Sequence, residues 1–143
     1  MKTTAQNWRT VGGQLPGSVP RGLAERSFRQ ADIPAARQFT RAFGARAKLD
    51  PARLADFVLA VSEAMASATA RGPGTARLRL WVTGPRAFCE VRGDGYLQRR
   101  ASHGTRQGEA EALRAWVLQR LTDYVSVASG PEGAWVLLSM TVS

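Results

Sequence analysis

Glu63 is the one acid in the apolar stretch FVLAVSEAMASATARG, residues 57–72. A carboxylate set against a buried surface can serve in catalysis, although such a position more often holds a solvated or hydrogen-bonded edge residue. A second place of interest is Gly93-Asp94-Gly95, whose glycines supply the positive backbone dihedrals of a turn. Behind it the polar segment QRRASHGTRQG, residues 98–108, gathers Arg99, Arg100 and Arg106, cations suited to an acidic partner. The sole histidine, His103, lies in the same segment and reads as a solvated loop residue. Cys89 is the only cysteine, without a partner for a disulfide or a zinc cluster, and reads as core packing.

These residues need elements to hold them. Leu54, Phe57, Val58, Val61 and Met65 recur at helical spacing, with Asp50 as cap, Pro51 in the first turn and Arg71-Gly72-Pro73-Gly74 as the stop. Glu63 then sits at the edge of the buried stripe. Upstream, residues 24–30 read as an edge strand, Asp32-Ile33-Pro34 as a turn, and the chain to about Lys48 as a helix. Ile33, Ala36, Phe39 and Phe43 form its apolar stripe, with Arg37, Arg41 and Arg46 on its other faces. Downstream, residues 75–83 alternate, Leu78, Leu80 and Val82 on one face and Arg77, Arg79 and Trp81 on the other. Gly84-Pro85-Arg86 turns into a strand over 87–92, where Phe88 and Glu90 oppose Cys89 and Val91.

After the loop, a helix begins at Gly108 with Glu109 and Glu111 in its first turn. Its buried side is expected to carry Leu113, Trp116, Val117, Leu121 and Tyr124. A strand over 125–127, a turn at Gly130-Pro131-Glu132-Gly133 and a strand over 134–142 complete the chain. Trp135, Leu137 and Ser139 face one way on that last strand, and Val136, Leu138, Met140 and Val142 the other. This order predicts an α/β (α+β) two-layer sandwich, its mixed, mostly antiparallel sheet covered on one face by three helices.

With 143 residues and an apolar fraction of 44%, one core is expected. Residues 1–22 mix glycine, proline and polar groups around a lone Trp8 and read as a flexible arm, leaving 23–143 as the domain. No apolar run reaches the roughly 20 residues of a membrane span, and the opening residues carry no continuous apolar segment, so a cytoplasmic protein is expected. The net charge of +9 comes almost wholly from arginine, Lys2 and Lys48 being the only lysines. It favours nucleic acid, an acidic protein face or a nucleotide without choosing among them.

The string Val61-Ser62-Glu63-Ala64-Met65-Ala66-Ser67-Ala68 resembles the N box of the Bergerat-fold (GHKL, histidine-kinase-like) ATPases, in the branch of bacterial anti-sigma regulatory factors and their serine kinases. The entry Pro-Ala-Ala-Arg-x-Phe at 34–39 and the tail Trp-Val-Leu-Gln-Arg-Leu-Thr-Asp at 116–123 are similar to that family as well. The likeness runs over roughly residues 23–142. It implies that Glu63 is the counterpart of the acid that orients or deprotonates the attacking group. Ser67 then stands where an Asn binds the Mg²⁺ of the nucleotide, a hydroxyl being a weaker metal ligand than an amide oxygen. Gly93-Asp94-Gly95-Tyr96-Leu97 falls where the family has its Asp-x-Gly-x-Gly box. Gly93 replaces the adenine-binding Asp, Asp94 is one residue late, Gly95 keeps the middle glycine and Leu97 replaces the last. The loop with Arg99, Arg100 and Arg106 corresponds to the ATP lid, without its glycines.

Phosphoryl transfer depends on positioning and on charge neutralisation by metal, so these replacements imply a degenerate member rather than a working kinase. No cofactor is expected, ATP and Mg²⁺ at most weakly, and Glu63 becomes a vestigial general base. The resemblance then implies an anti-sigma-factor-like regulator in transcriptional control. Its partner would be a sigma factor or a STAS-domain antagonist, and homodimers are common in the family. The alternatives are an ATP-dependent serine kinase of the same family, and a nucleic-acid-binding regulator that uses the arginines of the arm and loop.

Overall fold

A computed structural model describes residues 21–69, 74–93, 116–130 and 133–143. In chain order these form β1 (Arg21–Arg29), a 3₁₀ turn (Gln30–Asp32), α1 (Ile33–Arg46), α2 (Pro51–Ala68), β2 (Thr75–Thr83) and β3 (Arg86–Gly93). Helical residues 116–121, here α3, precede β4 (Tyr124–Gly130) and β5 (Gly133–Thr141). Of the arm expected over 1–22, residues 1–20 lie outside the described residues, and Arg21 and Gly22 already belong to β1.

The five strands make one sheet in the order β1-β2-β3-β5-β4. All four pairings are antiparallel, so the mixed sheet expected from sequence is a purely antiparallel one among the described residues. Its register puts Ala24, Leu80, Cys89, Leu138 and Val125 in one row across all five strands. That row faces the helices. Phe57, Val61, Ala64, Met65 and Ala68 of α2, Ala36 and Phe43 of α1, and Leu118 of α3 pack on it as a single core. An α+β sandwich with its helices on one face is thus the architecture, and no described helix is long and apolar enough to cross a membrane.

Local chemistry sets the helix ends. Pro34 and Pro51 each occupy a first turn, where a missing N–H costs nothing. The Asp50 side chain caps α2 by accepting from the Ala52 amide at 3.2 Å. Helix α1 ends at Arg46, two residues before the expected Lys48, because the chain reverses there. Leu49 N donates to the Gly44 carbonyl and Lys48 N to that of Ala45, with Lys48 at φ 61°, in the left-handed region. A glycine takes that conformation without the clash of a Cβ. Lys48→Gly is therefore expected to raise stability by about 1 kcal/mol in urea unfolding. Between β2 and β3 a two-residue turn holds Gly84 at φ 59°. Since Pro85 cannot follow with a positive φ, the turn is of the II′ kind that suits the twist of a hairpin.

Two side chains expected in the core of the last helix are elsewhere. Trp116 is 55% exposed, with Arg120 stacked over its ring at 4.9 Å, and Leu118 is buried in its place. Tyr124 is not helical but opens β4, packed against the outer side of the sheet. Of the stripe predicted through Leu113, Trp116, Val117, Leu121 and Tyr124, Leu121 packs against the core as expected, Leu118 is buried where Trp116 was expected, and Leu113 lies outside the described residues.

The larger surprise is the sheet's outer face. The alternation of β2, β3 and β5 placed Trp81, Phe88, Glu90, Trp135 and Leu137 together there, as the register confirms. Such a half-buried strand is expected to show that side to water, yet the five side chains are buried, none more than 6% exposed. Trp81, Phe88, Trp135 and Leu137 form a second apolar cluster.

Cys89 is on the helical side, fully enclosed. Burial first, and the neighbouring Glu90 carboxylate second, push its thiol well above its ordinary 9.0. The folded state thus favours the neutral thiol. The stability this group contributes is complete below the unfolded value and falls as pH rises past it. A thiol reagent in mildly alkaline buffer is expected to label Cys89 only as fast as the chain unfolds. Labelling of folded protein at the rate of a free thiol would contradict this.

Candidate functional site

Helix α2 and strand β3 are the two elements that bring sequence-predicted positions together. Glu63 and Ser67 lie one turn apart on α2. Glu63 is half-buried, Ser67 is buried, and both interact with neighbouring groups. The small residues at the end of α2 let β3 come close. A Cβ placed on Gly93 would stand 3.1 Å from the Ala68 carbonyl oxygen, 3.2 Å from Ala68 Cβ and 3.3 Å from Ala76 Cβ. Ordinary carbon contacts are about 3.5–4.0 Å, so a side chain at position 93 requires Ala68 of α2 and Ala76 of β2 to give by a few tenths of an ångström. Gly93 and Ser67 thus belong to one corner of the molecule, and the corner is closed on the side of Gly93.

Asp94, Gly95, Arg99, Arg100 and Arg106 lie outside the described residues. Among the described residues, no group of three or more His, Cys, Asp or Glu side chains is placed to hold a metal ion. The donor set at the corner is one carboxylate and one buried hydroxyl, Glu63 and Ser67. Mg²⁺ bound with a nucleotide takes one or two protein ligands beside phosphate and water oxygens, and here a hydroxyl stands where the N box has an amide. Ser67 and Gly93 stand at the positions that correspond to the amide of the N box and the adenine-binding Asp.

A different feature occupies the other end of α2. Arg37 and Arg41, on successive turns of α1, line an open groove of about 500 Å³ with Pro51, Leu54, Ala55, Val58 and Leu59. Arg37 is not loose there, because its Nε donates to Ser62 Oγ at 3.0 Å and so fastens α1 to α2 beside Glu63. Leu59 is 48% exposed on the groove's margin. Nine residues separate Leu59 from Ala68, roughly 14 Å along a helix, so groove and corner are distinct.

Sequence reasoning placed Arg37 and Arg41 only on the non-apolar faces of α1. The signal for the groove was their spacing of four, together with Leu59 standing off the apolar stripe of α2. Ser62 was legible only as part of the N-box string. Its burial under Arg37 depends on how the two helices cross.

No curated protein matches the chain. The family model described as the histidine kinase-like ATPase domain matches residues 27–140, from the end of β1 to the end of β5. That span contains all three helices, the corner at Ser67 and Gly93, and the strands β2 to β5 up to Met140, and the chain belongs to the histidine kinase-like ATPase domain family.

Proposed function

We propose that this chain is an anti-sigma-factor-like regulator that acts in transcriptional control by binding a protein, a sigma factor or a STAS-domain antagonist, with nucleotide binding weakened or lost. The observation that carries this reading is the packing at Gly93. At the position corresponding to the adenine-binding acid, a Cβ would already stand 3.1 to 3.3 Å from Ala68 and Ala76. Ser67 in place of the metal-binding amide acts in the same direction. With metal and base contacts both weakened, the positioning on which phosphoryl transfer relies is absent, and Glu63 has no bound reactant to act upon.

Protein binding is supported by the groove. It joins an apolar floor to two arginines, a combination suited to the apolar face and acidic flank of a partner's helix. Two measurements test the reading. Titration of the full chain with ATP and Mg²⁺ is expected to show affinity weaker than about 1 mM. Purification from native cytoplasm is expected to recover a sigma subunit or a STAS protein. Micromolar ATP affinity with turnover that Glu63→Ala abolishes would restore the serine-kinase reading. Recovery of nucleic acid alone would favour the arginine-based alternative.

A further inference from the structure

A second recess lies where the edge strand β1 loses its regular pairing. Arg21 pairs with Val82 and Ala24 with Leu80, so Gly22 and Leu23 together oppose Trp81 and form a bulge, with Gly22 at φ 64° in the left-handed region. Leu23 is 52% exposed on this bulge. Beside it is a pocket of about 310 Å³ lined, among the described residues, by Gly22, Phe43, Arg46, Ala47, Lys48 and Val82. A Cβ at Gly22 would meet Phe43 Cε1 at 3.9 Å, so a longer side chain there would take up space beside the ring.

The lining divides into two kinds. Phe43, Ala47 and Val82 are apolar, whereas Arg46 and Lys48 are exposed cations. No acid lines the pocket, and neither cation has an ion-pair partner among the described residues. A cation in the last turn of a helix answers the carbonyls left open there, which accounts for Arg46. Lys48 needs a further reason. It stands at φ 61°, where glycine would sit without the clash of a Cβ, and a lysine kept in such a conformation points to a use for its ammonium.

We propose that this pocket binds a small amphiphilic carboxylate, its chain or ring against Phe43 and Val82 and its carboxylate held by Arg46 and Lys48. A guanidinium matches the two oxygens of a carboxylate, and the ammonium supplies a second charged donor. The carbonyl end of α1 beside these cations disfavours a doubly charged phosphate relative to a single carboxylate. The volume is at the small end of ligand sites, roughly 300 Å³, and so suits one ring or a short chain. The pocket shares no lining residue with the groove of Arg37 and Arg41 and none with the corner at Ser67 and Gly93, so this inference is independent of the proposed function.

Octanoate is the probe. Added at low salt to the full ¹⁵N-labelled chain, it is expected to shift the amide resonances of Gly22, Ala47 and Lys48 with a Kd of about 1 mM or tighter. Octanol and octylammonium carry the same chain with a neutral or a positive head, and are expected to bind about 10-fold more weakly or not at all. Arg46→Ala with Lys48→Gly removes both cations and is expected to weaken octanoate by about 10-fold, the rest of the amide spectrum staying in place. Lys48→Gly alone, which favours the fold, is expected to account for about threefold of this. Equal binding of octanol and octanoate would overturn the proposal, the pocket then being merely apolar. Octanoate binding undiminished in both variants would overturn it as well, as would shifts centred on Arg37 and Arg41 or no shift at Gly22, Ala47 and Lys48 up to about 10 mM.

Discussion

Arg79→Ala is expected to lower folding stability by about 3 kcal/mol, read as a shift of the urea midpoint, because it strands a buried acid. Glu90 is 1% exposed and accepts a hydrogen bond from Arg79 Nη1 at 3.1 Å, its one ion-pair partner among the described residues. Glu25 approaches Arg79 from the edge strand at 3.8 Å and reaches Arg77 at 3.2 Å, so the row Glu25-Arg79-Glu90 alternates in charge across β1, β2 and β3. Loss of the central cation on β2 leaves the Glu90 carboxylate of β3 without its partner, while Glu25 of β1 keeps only Arg77 among the described residues. The value sits at the low end for breaking a buried pair because Arg79 itself is 37% exposed and water already screens part of it. Arg79→Met combined with Glu90→Leu removes both charges and fills the same space, and is expected to fold within about 1 kcal/mol of the parent. Were Arg79→Ala to cost no more than this double variant, water would have access to Glu90 and the outer face would not be sealed.

The contrast between those two variants shows where sequence reading stops. Alternation along a strand assigns each side chain to a face, and it did so for Trp81, Phe88, Glu90, Trp135 and Leu137. It does not say what covers that face, since an open antiparallel sheet and a covered one have the same period of two. The helices were legible because an apolar stripe and a cap together fix a phase. Asp50 and Pro51 fixed α2, and its buried set from Phe57 to Met65 followed. In the last helix, read without such a marker near Trp116, Leu121 was placed on the buried side but Trp116 was expected there instead of Leu118. At the site, the identities of Glu63, Ser67 and Gly93 were readable, but the lack of room at Gly93 was not. It arises from Ala68 and Ala76, which lie 25 and 17 positions away in the chain and meet Gly93 only when α2 crosses the sheet and β2 pairs with β3. The groove escaped for a related reason. Arg37, Arg41 and Leu59 each look like ordinary surface residues until two helices pack side by side.

That groove carries the second large expected effect. If the groove binds the proposed protein partner, replacing Arg37 and Arg41 together by glutamate is expected to weaken that binding by about 100-fold, close to 2.7 kcal/mol, measured by titration or by retention on the immobilised variant. Both side chains are exposed on α1, so most of the change falls on binding and little on folding. The exception is the hydrogen bond from Arg37 to Ser62, which ties the helices together and whose loss is expected to cost about 1 kcal/mol of stability. Ser62→Ala removes that tie and leaves both charges in place. If the groove recognises an acidic partner, Ser62→Ala binds nearly as the parent does while the double reversal fails, and the salt dependence of binding drops with the arginines. Equal losses in Ser62→Ala and in the double reversal would instead assign the effect to the packing of α1 on α2. The groove would then be a by-product of helix crossing, and the partner would have to be sought on another face of the domain.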